Sequence, residues 1–104
     1  MGLSGYIKDT IEENNETIIT AIPFQNILMR LRSAHILSSD EAKKLRQYNN
    51  NEEAGFEFIE ILKSKDDKYY FQFCKILKES QIENVQNVGH FLENTAIGKD
   101  QYYG

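Results

Sequence analysis

Phe24-Gln25-Asn26-Ile27-Leu28-Met29-Arg30-Leu31-Arg32-Ser33-Ala34-His35-Ile36-Leu37-Ser38-Ser39-Asp40-Glu41 holds a helix, its stop and the start of the next helix. Phe24, Ile27, Leu28 and Leu31 recur at i, i+3, i+4 and i+7, which places them on one face of an α-helix. Pro23 suits the first turn of that helix, where its missing N–H would have been unpaired in any case. The period ends near Ala34. Ser38 and Glu41 then have the spacing of a capping box: the Ser38 hydroxyl accepts the Glu41 amide, and the Glu41 carboxylate accepts the Ser38 amide. A helix from Ser39 to about Tyr48 follows, with Ala42 and Leu45 turned inward.

The helical period continues on both sides. Upstream, a helix from Gly5 to about Thr20 has Ile7, Ile11, Ile18 and Ile22 near one stripe and Asp9, Glu12, Glu13 and Glu16 on the other side. Asn14 and Asn15 interrupt that stripe, and because an asparagine amide competes for backbone hydrogen bonds, they predict a bend or split. Downstream, Asn49-Asn50-Asn51 is the strongest loop signal and supplies a cap for a helix over 52–64. Phe58, Ile61 and Leu62 form its core face, widened by Ala54, Phe56 and Ile59, and Glu53, Glu57 and Glu60 line the opposite stripe. Asp66 is expected to cap a helix over 67–80 with Tyr70, Phe73, Cys74 and Leu77 inward. Asn84 is expected to cap a short last helix carrying Val85, Val88 and Leu92. From Thr95 the period fades, so residues 95–104 read as a flexible tail or the start of a linker. No alternating β-branched run is found. The expectation is an all-α chain, six short helices packed antiparallel in one bundle over residues 5–94.

Composition narrows the function. The chain has 104 residues, 40% of them hydrophobic and 27% charged, with one proline, so it is too apolar to stay disordered. Twelve basic side chains against 16 acidic ones leave a net charge of −4, which argues against partners recognised by their phosphates, nucleic acid and anionic membrane alike. No stretch approaches the ~20 apolar residues that span a bilayer, and the N-terminus lacks a signal-peptide pattern. The one cysteine, Cys74, cannot form an intramolecular disulfide or a multi-cysteine zinc site, so a reducing, cytoplasmic location is the default.

A catalytic reading would need Cys74 as nucleophile with His35 or His90 as base. Cys74 instead lies among Phe71, Phe73 and Leu77 on an apolar face, where a buried structural thiol is expected. There is no HExxH, no CxxC and no glycine-rich phosphate loop, so no enzyme, cofactor or metal site is expected. On a helix, Tyr69, Tyr70, Phe71 and Phe73 point to different sides, which suits core packing better than a base-stacking platform.

The distribution of charge carries more information than its total. Met1 to Ile22 holds one basic and four acidic residues, Pro23 to Tyr48 five basic and two acidic, and Asn49 to Ser64 one basic and four acidic. The bundle should therefore carry an acidic face from its first and fourth helices and a basic face from its second and third. Charge runs are often no more than solvated faces. Two complementary faces on one domain also permit head-to-tail association.

In this order and spacing the motifs resemble those of caspase recruitment domains. Leu28 to Glu41 is similar to the family's second helix, its "GIL-T/S-x-E/D" turn and the start of its third helix. Phe58-Ile59-Glu60-Ile61-Leu62-Lys63 resembles the "LLDIL" fourth helix, and Tyr70-Phe71-Gln72-Phe73-Cys74-Lys75-Ile76-Leu77-Lys78-Glu79-Ser80 the "AFxxFCxALKET" fifth. The resemblance runs from about Tyr6 to Glu93. Three departures stand out: Asn49-Asn50-Asn51 replaces the threonine or proline common between helices three and four, the "ETG" turn reads Glu79-Ser80-Gln81, and His35 stands where glycine is frequent, a position where histidine tolerates left-handed geometry.

The resemblance implies a six-helix Greek-key death fold without catalytic activity. It would act in apoptotic, inflammasome or other innate immune signalling by homotypic binding to another such domain, in a caspase, receptor or adaptor or in a second copy. One contact common in that family joins helices one and four of one copy to helices two and three of the next through opposite charges. Carried over, it assigns Glu12, Glu13, Glu16, Glu53, Glu57 and Glu60 to one side and Arg30, Arg32, Lys43, Lys44 and Arg46 to the other. Two rival readings remain: a nucleic-acid-binding helical domain using the same basic side chains as a helix-turn-helix, and a stand-alone decoy that blocks such assemblies, suited to a chain that begins at Met1 and stops soon after the fold.

Overall fold

In the computed structural model, which describes residues 2–103, the chain forms α1 (Gly5–Glu13), α2 (Asn15–Ala21), α3 (Phe24–Ser33), α4 (Ser39–Arg46), α5 (Asn51–Lys63), α6 (Asp67–Lys78) and α7 (Glu83–Tyr103). The described residues include no strand. Seven segments replace the expected six because the first helix divides at Asn14. Its side-chain amide donates to the Thr10 carbonyl at 2.9 Å, taking up an acceptor at the end of α1. The Asn14 carbonyl then accepts the Ile18 amide at 2.9 Å and opens α2.

The caps account for most of the remaining boundaries. Ser38 and Glu41 make the capping box in both directions, at 3.1 and 2.9 Å. Glu41 also receives Lys65 at 2.9 Å. Partial burial alone would raise the Glu41 pKa, but the Ser38 amide and the Lys65 ammonium outweigh it and hold the carboxyl below its ordinary value. Asn50 caps α5 by accepting the Glu52 and Glu53 amides at 2.8 and 3.1 Å. Asn51 clamps the α2–α3 corner: its side-chain oxygen accepts the Phe24 amide at 3.0 Å, and its nitrogen donates to the Ile22 carbonyl at 2.9 Å. Pro23 sits just before α3 rather than inside its first turn.

Asp66 occupies the N-cap of α6 but makes no side-chain cap there. The neighbouring Asp67 accepts the Ser4 amide at 2.7 Å and the Ser4 hydroxyl at 2.5 Å, tying the start of α1 to the start of α6. Asn84 is not a cap either, because α7 already begins at Glu83.

His35 is the one non-glycine residue with positive φ among the described residues, at 63°. It lies just past the C-cap of α3, and the His35 and Ile36 amides bond the Arg32 and Leu31 carbonyls, each at 3.0 Å, which is a Schellman closure. The second altered turn solves its problem differently. Glu79-Ser80-Gln81 avoids left-handed backbone; the Ser80 hydroxyl accepts the Ile82 amide at 3.0 Å, and the Gln86 amide donates to the Ser80 carbonyl.

The core follows the expected stripes, and Ile19, Ile36, Leu37 and Ile76 join it. Ile61 is only partly buried. Phe24, Phe58 and Phe73 pack with rings tilted by 44° and 48° at separations of 5.4 and 4.8 Å and join α3, α5 and α6. Gly55 makes that approach possible: a Cβ there would lie 2.8 Å from the Phe24 ring and 3.1 Å from Ile19. Gly89 does the same where α7 crosses α6, since its Cβ would lie 2.8 Å from both the Leu77 Cβ and the Lys78 amide nitrogen. Two expectations need correction. Phe56, assigned to the core, is 51% exposed; it lies two residues from Phe58, and such neighbours do not share a helix face. The helical backbone also does not stop near Thr95, because α7 runs to Tyr103 with Ala96 wholly buried. Gly104, the last residue of the expected tail, lies outside the described residues.

Two outcomes are expected of this packing. His35→Gly should raise stability in urea or thermal melts by about 1 kcal/mol, the left-handed strain relieved less the entropy that glycine adds to the unfolded chain; a destabilised variant would show that the turn does not strain histidine. The Cys74 thiol is fully buried, and burial pushes its pKa up to about 12. It should label slowly in native buffer and rapidly in denaturant; rapid native labelling would contradict this burial.

Candidate protein-interaction surface

Because α2 packs against α5, the acidic outer stripes of the first helix and of α5 become neighbours. Glu12 and Glu60 border a groove of about 380 Å3 together with Phe56 and Lys63. Glu53, Glu57 and Glu60 border an adjoining one of about 280 Å3 with Phe56 and Tyr48. Four of the expected carboxylates, Glu12, Glu53, Glu57 and Glu60, thus surround an exposed phenyl ring. Glu13 is drawn aside by Lys99 of α7 at 3.0 Å. Glu16 is exposed in the first turn of α2 and lines neither groove.

The basic residues lie on α3 and α4, which also pack together. All five are exposed, but not equally available. Arg30 pairs with Glu79 at 2.5 Å, and Arg32 donates to the Ser39 hydroxyl from Nε and Nη2 at 3.2 and 3.1 Å. Lys44 reaches Glu57 of α5 at 3.3 Å, where the Tyr48 hydroxyl also donates, at 3.2 Å. That hydrogen bond to Glu57 raises the Tyr48 pKa above its ordinary value. The two faces therefore meet at one edge of the molecule, and Lys44 and Glu57 already satisfy each other there. On the acidic side Lys63 also engages Glu12 and Glu60, at 3.4 and 3.6 Å. Among the described residues, Glu16 and Glu53 on one face and Lys43 and Arg46 on the other form no ion pair.

The sequence reading missed Phe56 as a surface residue. The signal was present: Ala54, Phe58 and Leu62 fix the buried face of α5 at a spacing of four, which leaves position 56 on the far side. The aromatic cluster of α6 divides as its spacing requires. Tyr70 and Phe73 are buried, Tyr70 donating to the Leu92 carbonyl at 2.9 Å, while Tyr69 and Phe71 are partly exposed. Burial raises the Tyr70 pKa.

Among the described residues, no three His, Cys, Asp or Glu side chains are grouped to hold a metal ion, and no helix is long and apolar enough to cross a membrane. His35 and His90 are exposed, whereas Cys74, on α6, is buried on the side that meets α7.

Comparison with curated proteins and with solved structures gave no match. The caspase recruitment domain family, CARD, matches residues 8–90, a span from the first turn of α1 to the middle of α7. The match takes in α2 to α6, the capping box and the His35 turn, and with an all-helical bundle around one core it places this chain in the caspase recruitment domain family, whose members are protein-interaction modules.

Proposed function

We infer that the chain works by homotypic binding, its acidic surface on α1, α2 and α5 meeting the basic surface on α3 and α4 of another caspase recruitment domain, in a second copy or in a caspase, receptor or adaptor. The observation that carries this reading is the set of uncommitted charges: Glu16 and Glu53 on one surface, Lys43 and Arg46 on the other. The paired members, Glu12, Glu13, Glu57, Glu60, Arg30, Arg32 and Lys44, border the same surfaces. Each of their ion pairs keeps at least one well-exposed partner, and pairs open to solvent contribute only about 0–1 kcal/mol, so they can be exchanged for intermolecular ones at small cost. Such contacts are heterologous, and repeated they give head-to-tail oligomers unless the rotation closes. The setting implied by the family is cytoplasmic apoptotic or innate immune signalling.

Charge complementarity makes the contact sensitive to salt and to charge sign. Self-association, read by sedimentation or light scattering, should weaken as salt rises from about 0.05 M to about 0.5 M, because the screening length falls well below ~10 Å. Glu16→Lys with Glu53→Lys should abolish assembly and lower the melting temperature by only a few degrees, since neither side chain has an internal ion-pair partner to lose and each reversal opposes its helix dipole by about 0.3–1 kcal/mol. Lys43→Glu with Arg46→Glu should do the same. Mixing the two double variants should return pairing through the unaltered surface of each. Assembly that tolerates both reversals would refute these surfaces.

A further inference from the structure

We propose that the contact is anchored by Phe56, seated in the groove between α3 and α6 of a second copy of this chain. The inference rests on the head-to-tail pairing above and fixes its register. Phe56 is 51% exposed and Phe91 52%, and of the two it is Phe56 that lines both grooves of the acidic surface. It stands among the carboxylates of Glu12, Glu53, Glu57 and Glu60, with Lys63 as the one cation lining these two grooves, so it is an apolar knob in a net acidic ring.

A groove of about 420 Å3 between α3 and α6 has the inverse character. Met29, 65% exposed, faces it with Ala34 and Ile76 as apolar walls, and Arg30 and Lys75 stand on its border. The acid beside them, Glu79, is already engaged by Arg30. Both Phe56 and Met29 are large apolar side chains left in water, and the net charge around them is opposite: four carboxylates against Lys63 beside Phe56, Arg30 and Lys75 against Glu79 beside Met29. Aromatic anchors in pockets rimmed by complementary charge are the usual centres of binding energy in protein interfaces.

A second depression on the basic surface, about 320 Å3 at the α3–α4 turn, is a poorer seat. Its lining of Arg32, Ser33, His35, Leu37, Ser38 and Ser39 offers one aliphatic side chain. An aromatic ring placed there would cover hydroxyl groups without replacing their hydrogen bonds with water.

The test uses the full chain. Phe56→Ala should weaken self-association at least tenfold while circular dichroism and melting stay close to the parent's, and Phe56→Leu should recover most of the loss. Cysteine pairs locate the seat, because the native Cys74 is buried and silent in the folded chain. A mixture of Phe56→Cys and Met29→Cys copies should form an intermolecular disulfide on mild oxidation, in higher yield than Phe56→Cys mixed with His35→Cys. Phe56→Ala assembling within twofold of the parent, or a preference for His35→Cys, would overturn the inference. If charge reversal still abolishes assembly in that case, the pairing of the two surfaces stands without this anchor. If neither charge reversal nor Phe56→Ala has an effect, the pairing itself fails. A parent chain that remains monomeric across the concentration range overturns a second copy as the occupant and leaves the pairing to a different domain.

Discussion

The bundle depends on the close approach of α3, α5 and α6 through Phe24, Phe58 and Phe73. Three rings in one column fix the separation of those helices, and the missing side chain at Gly55 lets α5 settle onto Phe24 and Ile19. Everything outside adapts to that column. Asn51, at the start of α5, holds the α2–α3 corner by bonding backbone on both sides of Pro23, so the same helix that carries the central ring also sets where α2 ends. A larger residue at 55 would push apart the elements that place the acidic surface beside the phenyl ring of Phe56.

The polar exterior is far less determined. The Lys78–Glu93 and Lys65–Glu41 pairs are partly buried, whereas Arg30–Glu79, Lys44–Glu57, Lys63–Glu12, Lys63–Glu60 and Lys99–Glu13 each have at least one well-exposed partner. Desolvation costs there are small and so are the gains. The shape of the molecule is set by apolar contact and capping, and the charges are left for encounter and orientation. Lys44 and Glu57 are the place where the two functions overlap, since they join α4 to α5 and also lie on the surfaces proposed to meet between molecules.

Most of this architecture was legible in the sequence wherever one physical signal dominated. The stripe of Phe24, Ile27, Leu28 and Leu31, the Ser38–Glu41 box and the break at the paired asparagines each follow from a local rule that tertiary structure had no reason to override, whereas the left-handed His35 was legible only through the resemblance, which puts glycine there. The misreadings came where two local signals competed or where the partner was remote. Hydrophobicity draws Phe56 inward, although its phase on the helix points it away from Ala54, Phe58 and Leu62. Asp66 had cap chemistry, but its neighbour Asp67 found Ser4, more than sixty residues away in sequence. The extent of α7 was underestimated because Gly98 and the polar residues after Leu92 weaken the period, while Ala96 is small enough to be buried without marking a stripe. For the interaction surface, charge blocks along the chain located the two faces, but which charges were already spent inside the molecule required the fold.

The break at Asn14 bears on dynamics as well as on topology. It leaves α1 and α2 with nine and seven residues, both below the ~12–15 at which an isolated helix begins to hold in water. Neither segment persists by its own propensity; α1 is held by docking on α7, and α2 by docking on α5 and α7. Part of the acidic surface is therefore carried by the pieces of the chain with the least independent capacity to fold. Opening of residues 5–21 would uncover Ile7, Ile11, Ile18 and Ile19, which share one core with the aromatic column, so any partner that binds across them gains the further role of holding that unit closed, drawing its affinity partly from suppressed local unfolding.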